Sequence, residues 1–242
     1  MNWLAREAHA FLAAQRDALL LWKYAPAIPL IVILAEFVQH AVEIRMGMFA
    51  SLDAFRSLQM DAARMAFGGI KLAMMLIAVL LAARFWTNRH SGARWWSFAG
   101  IGWKQVLLGV GIQGAASLPG LFDVPLPPPA ELGLGVALTV ASLPGLVLII
   151  GGILGDYETG LAKVYGQGWG QGLRMAVYAA PGWAVLSVMH DWHHMMAMGR
   201  PASMVWPLMA WDALVVGLTA SLAGTALHHG YMAGRQSEAR AA

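Results

Sequence analysis

The chain has 242 residues, no cysteine, 59% hydrophobic residues and only 12% charged residues, with a formal net charge of +3. Soluble domains carry about 25% charged residues, so the composition excludes an ordinary soluble fold and points to a membrane protein. The missing cysteines exclude disulfides and thiolate metal ligands, and in a membrane protein a small basic excess sorts by side and does not imply a nucleic-acid partner.

Residues 1–23 read as an amphipathic helix lying in the membrane interface. Leu4, Ala8, Phe11, Leu12, Leu19 and Trp22 recur at helical spacing, opposite Asn2, Arg6, His9, Arg16 and Lys23. That charged face argues against a cleavable signal peptide, whose apolar region is uninterrupted. A helix crossing the hydrocarbon core needs about 20 mostly apolar residues. Six stretches have that length, near 25–44, 65–86, 103–121, 132–154, 175–197 and 204–229. The sequence therefore predicts an all-α integral membrane protein, one polytopic domain over 1–242.

After the first span, Ser51 is placed to cap a second interfacial helix. There Leu52, Phe55, Leu58, Ala62 and Met65 oppose Asp53, Arg56, Asp61 and Arg64. The third and fourth spans share the string ASLPGL, at 116–121 and 141–146. The two copies would run in opposite directions at different depths, which argues for shared composition over a transport repeat. Pro119 is expected to end its span before the loop DVPLPPPAE and Pro144 to bend the next. YGQGWGQG at 165–172 lacks the strand, helix and lysine of a phosphate loop and reads as a flexible or re-entrant connector. Gly217, Ser221 and Gly224, and likewise Gly151, Gly152 and Gly155, are spaced for close helix approach in lipid.

Lysine and arginine in the short loops set the sidedness. With a cytoplasmic N-terminus the inner side collects Arg6, Arg16, Lys23, Arg84, Arg89, Arg94, Lys104, Lys163, Arg174, Arg235 and Arg240, while the outer side keeps Arg45, Arg56, Arg64 and Arg200. That asymmetry predicts a bacterial inner-membrane protein with both termini inside, a lipid environment and no nucleic-acid partner.

Ionisable groups inside spans cost about 2.5–3.5 kcal/mol each on insertion scales and default to a functional hypothesis. Glu36, Lys71, His190 and Asp212 fall at about 9–12 Å from the outer ends of four different spans at a rise of about 1.5 Å per residue. More polar groups rise from this layer. In EFVQHAVE the helical spacing puts Glu36, His40 and Glu43 on one face, and MHDWHHMMAM supplies His190, Asp191, His193 and His194. The expected polar cluster is Glu36, His40, Glu43, Lys71, His190, Asp191 and Asp212; as a metal site it would use His40, Glu43, His190, His193 and His194.

HDWHH resembles a histidine box of membrane di-iron desaturases and hydroxylases. The only other adjacent pair, His228 and His229, lies about 24 Å of helix from Asp212 and cannot join it. Copper is the better metal, because Met189, Met195, Met196 and Met198 interleave with the histidines and Met46 and Met48 follow His40. Haem b is the alternative, with His40 facing His190 or His194. No nucleophile and base occur in a hydrolase order. The sequence therefore suggests cation- or proton-linked transport or an accessory role in a membrane complex with other subunits. The alternatives are periplasmic-side copper or haem handling, or a non-catalytic scaffold or assembly factor.

Overall fold

The computed structural model describes residues 3–121 and 126–241, and side chains there except those of 120, 121 and 238–241. Asn2 and Asp123 lie outside the described residues, as do the side chains of Glu238 and Arg240. All described regular structure is helical: α1 Trp3–Tyr24, α2 Ala27–Arg45, a 3-10 turn Met48–Ala50, α3 Leu52–Leu58, α4 Ala62–His90, α5 Trp103–Leu121, α6 Pro128–Leu154, α7 Leu161–Gln167, α8 Trp169–Ala197 and α9 Ala202–Ala241.

Four segments are long and apolar enough to cross a membrane: Ala27–Arg45, Ala62–His90, Pro128–Leu154 and Ala202–Ser237. The stretches expected near 103–121 and 175–197 are helices, α5 and α8, but are not among the four. Large apolar side chains such as Leu34, Ile70, Leu72, Leu76, Val136 and Val188 stay exposed. In water such a surface would be a liability; against lipid it is the ordinary exterior of a bundle.

Helix α9 is the axis of the bundle. It packs along α8 most extensively, and also on α1, α2 and α4. Its glycines make this possible. A Cβ on Gly217 would stand 2.5 Å from Ile33 of α2, one on Gly230 2.7 Å from the Met175 backbone of α8, and one on Gly224 would collide with the Val79 carbonyl of α4. In the second pair of helices, a Cβ on Gly109 of α5 would lie 2.5 Å from the Gly145 carbonyl of α6. Of the small residues read from the sequence, Gly152, Gly155 and Gly224 thus lie against backbone carbonyls, while Gly151 and Gly217 make room for the side chains of Tyr231 and Ile33.

Three local expectations change. Helix α1, read as interfacial, also packs its Ala14, Ala18 and Leu21 inward, and Glu7 and Gln15 bond Arg174 and the Tyr178 carbonyl of α8, so it docks on the bundle. The second amphipathic helix stops at Leu58. Ser51 caps it as expected, its hydroxyl accepting from Ala54 N at 3.1 Å, but Asp61 accepts from Ala63 N and Arg64 N and starts a new helix, which transfers Ala62, Arg64 and Met65 to α4. Pro119 sits inside α5, and Glu131 lies in the first turn of α6 after Pro127 and Pro128, where a missing N–H costs nothing. The glycine-rich stretch 165–172 is the joint of α7 and α8: a Cβ on Gly168 would meet the Val164 carbonyl at 2.7 Å.

Arg84 ties the far end together. Its guanidinium donates to the carbonyls of Ile153 (2.7 Å), Ala99 (2.5 Å) and Ser97 (3.4 Å), satisfying the end of α6 and the connector into α5 at once.

Candidate functional site

Helices α2, α8 and α9 meet around one carboxylate. Asp212 of α9 has no exposure, and it accepts from three histidines: His190 Nδ1 to Oδ2 at 2.7 Å, His193 Nδ1 to Oδ1 at 2.9 Å and His40 Nε2 to Oδ2 at 3.0 Å. His190, His193 and His194 share one face because they stand three and four residues apart on α8. His194 Nε2 is 3.8 Å from Asp212 Oδ2 and makes no hydrogen bond.

His40 links this centre to the rest of α2. Its Nδ1 donates to Glu43 Oε2 at 3.0 Å, one turn on, and its Nε2 stands 3.2 Å from Glu36 Oε1, one turn back. Glu36, His40 and Glu43 are all fully buried. Two cations arrive from α4. Lys71 Nζ reaches Glu36 at 3.3 Å, and Arg64 Nε donates to Glu43 Oε1 at 3.2 Å. Gln39 also donates to Glu43 Oε1, at 2.8 Å. Phe49 and Phe55, from the 3-10 turn and α3, face the His194 ring with centroids 5.7 and 6.2 Å away. The α2–α4 connector therefore covers one side of the cluster.

Most of the expected cluster is brought together: Glu36, His40, Glu43, Lys71, His190 and Asp212 are joined by these contacts. His193 and His194, expected as metal ligands, face the same carboxylate. Asp191 is not part of it; it is exposed, because one residue beyond His190 the helix has turned by about 100°. Gln39, a polar group of the same EFVQHAVE string, and Arg64, assigned to the interfacial helix, stand outside the cluster expected from the sequence. The signal for Gln39 was its four-residue spacing to Glu43, and for Arg64 the capping aspartate three residues before it.

Of the methionines that interleave with the histidines or follow His40, Met195 and Met196 are 58% and 42% exposed, whereas Met48 on the 3-10 turn is fully buried. The His40 and His190 rings both contact Asp212 Oδ2. The donors that do converge are imidazole nitrogens and carboxylate oxygens. One atom from each of Glu36, His40, His194 and Asp212 lies within 4.8 Å of the others.

A second polar region lies at the other end of α9. His228 is buried and stacks on His90 with centroids 6.1 Å apart, while His229 Nε2 pairs with Asp17 Oδ2 at 3.0 Å. These histidines border a cavity of about 720 Å³ with Asp156, Tyr231 and Arg235. Burial alone would raise the Asp156 carboxyl; the hydrogen bond from Tyr231 and the charge of Arg235 outweigh it and hold the group below the ordinary carboxylate range. Between the two polar regions the core is apolar, built from Ile28, Val32, Val79, Ala82, Val216 and Ala220 among others.

The described residues thus define an all-helical protein with four helices long and apolar enough to cross a membrane and a His–carboxylate cluster buried between α2, α8 and α9. No family model, no curated protein and no solved structure matches it.

Proposed function

We propose that the chain is a six-span protein of the bacterial inner membrane, with both termini cytoplasmic, whose buried cluster holds an exchangeable cation in cation- or proton-linked transport. One observation carries this reading. His40 Nε2 faces Glu36 Oε1 at 3.2 Å and Asp212 Oδ2 at 3.0 Å with no solvent at any of the three side chains. Two carboxylate oxygens and a ring nitrogen converging on one point are stable only around a positive charge, because uncompensated buried charge costs several kcal/mol. Lys71 and Arg64 match only two of the three carboxylates Glu36, Glu43 and Asp212; the third positive charge is the second proton of His40, which donates from both ring nitrogens. That proton, or a cation in its place, is the exchangeable charge.

A purely structural cluster is a poorer account. Interhelical polar contacts in membranes average about 0.6 kcal/mol, against about 2.5–3.5 kcal/mol to insert each charge. The test is flux: purified protein reconstituted into vesicles is expected to carry a saturable flux of one cation among proton, sodium, potassium and zinc, which empty vesicles lack. Vesicles that behave as empty ones for all four would refute transport.

An accessory role beside other membrane subunits is supported by a different feature. Residues 128–137 of α6 are all exposed, and a cleft of about 470 Å³ there is lined by Gln113, Ser117, Glu131, Thr139 and Ser142. Polar groups facing lipid suit a partner helix. Gly135→Trp, which fills this cleft, is expected to lower the mass of the native complex on blue-native gels; an unchanged mass would remove this reading.

A further inference from the structure

We propose that Glu36, His40, His194 and Asp212 form a binding site for a divalent transition-metal ion of the zinc class, oriented by Glu43, His193 and Lys71. This rests on the reading of the cluster as a cation site and names the cation. Four observations support it.

Three of the six ligand-to-ligand spacings are near those of a coordination sphere, and all six are within 4.8 Å. Metal–ligand bonds of about 2.0–2.2 Å around zinc separate tetrahedral ligands by about 3.4 Å. Here His40 Nε2 is 3.0 Å from Asp212 Oδ2 and 3.2 Å from Glu36 Oε1, and His194 Nε2 is 3.8 Å from Asp212 Oδ2.

One of the four residues holds an atom that nothing else uses. His194 Nε2 is buried with no partner at hydrogen-bond distance, whereas Glu36 Oε2, also without a hydrogen bond, is ion-paired with Lys71 at 3.3 Å. Buried polar atoms are normally satisfied, and His194 is only 9% exposed, so its ring nitrogen is aimed into the cluster with no partner.

The surrounding residues do what outer partners of metal ligands do. A ligating histidine usually gives its other ring nitrogen to a carboxylate, which fixes tautomer and orientation. Glu43 Oε2 accepts from His40 Nδ1 and so presents Nε2 to the centre, where a bound metal would displace the proton that Nε2 gives to Asp212. His193 Nδ1 occupies Asp212 Oδ1 and leaves Oδ2 facing inward, where a second lone pair also serves His190.

Donor chemistry selects the class. Two imidazoles and two carboxylates suit zinc and neighbouring divalent ions; magnesium and calcium disfavour nitrogen, and copper(I) favours sulfur, which the cluster lacks. His190, with a side chain 24% exposed, and Lys71, 18% exposed, mark the open rim.

The test uses the full chain purified in detergent, stripped with a chelator and titrated with zinc by calorimetry, with cobalt(II) absorption as a second readout. One metal per chain and the strong visible bands of four-coordinate cobalt are expected. Glu43→Gln should weaken zinc binding by about 10–100-fold, His194→Ala by more than that, and Asp191→Asn on the exposed side of α8 not at all. His194 makes no hydrogen bond, so its loss should leave the fold intact; His194→Gln serves the same comparison if the alanine variant does not fold. Zinc binding absent from the native protein, or unchanged by His194 and Glu36→Gln substitution, overturns the metal site. If zinc and cobalt do not bind while another cation is still carried across vesicles, the metal assignment falls and the transport reading stands. If zinc binds as described but no cation is carried, the metal site stands and transport falls.

Discussion

His40 Nε2 and Asp212 Oδ2 meet at 3.0 Å across 172 positions of sequence, with neither side chain exposed. This contact fixes α2 against α9, and because Asp212 also accepts from His190 and His193 it fixes α8 as well. Asp212→Ala would strand three buried donors, and removing one partner of a buried charged network typically costs about 3–5 kcal/mol. Asp212→Asn keeps one acceptor oxygen and should cost less, about 1–3 kcal/mol. Thermal unfolding in detergent should rank the native chain first, asparagine second and alanine last.

Lys71 and Glu36 should behave as a coupled pair. Lys71→Met alone leaves a buried carboxylate short of a cation, and Glu36→Gln alone strands the ammonium at the rim. Contacting charged residues couple by about 0.5–3 kcal/mol. A double-mutant cycle on unfolding should therefore find the double variant more stable than the two single losses added together. Simple additivity would show that the pair is incidental.

The packing of α9 predicts a sharp contrast between glycines. A side chain on Gly224 meets the Val79 carbonyl and, at 2.6 Å, Ala82 Cβ, so Gly224→Val should force α4 and α9 apart at a cost of about 1–3 kcal/mol or more. Gly69 of α4 has nothing within 4 Å, and Gly69→Ala should be neutral or stabilising by up to about 1 kcal/mol through helix propensity. Melting temperatures of the two variants check both.

The docking of α1 is expected to depend on pH. Burial would raise the Glu7 carboxyl, but hydrogen bonds from Arg174 and Tyr178 and the charges of Arg174 and Arg6 hold it below the ordinary carboxylate range. A carboxylate lowered in the folded state stabilises fully above its unfolded value, and that contribution is lost as pH falls through the lowered one. Protease protection of α1 should thus be constant near neutrality and fall on acidification, whereas Glu7→Gln should start lower and lose this step. An identical acid profile in both would show that Glu7 does not hold the helix.

Composition and apolar run length were enough to read the all-helical class, and helical spacing alone placed Glu36, His40 and Glu43 on one face. The same arithmetic should have excluded Asp191, which sits a third of a turn away from His190. What the letters could not carry were the pairings between distant helices. Asp17 with His229, and His90 with His228, depend on how α1 and α4 lie along α9, which no local pattern encodes. Arg64 was misread for a local reason: the apolar spacing 52–65 looked continuous, while the Asp61 cap breaks it and turns Arg64 toward Glu43. Met195 and Met196, which follow His194 in the letters, are exposed because successive residues on a helix point about 100° apart.

The central claim is that the cluster around Asp212 carries the exchangeable cation, and it is tested most directly by comparing two carboxylates on the same reconstituted protein. Asp17 pairs with His229 at the other end of α9 and serves as the control. Asp212→Asn is expected to abolish saturable cation flux into vesicles while Asp17→Asn retains it. Equal flux through the native chain and Asp212→Asn, with both folded, would contradict the account.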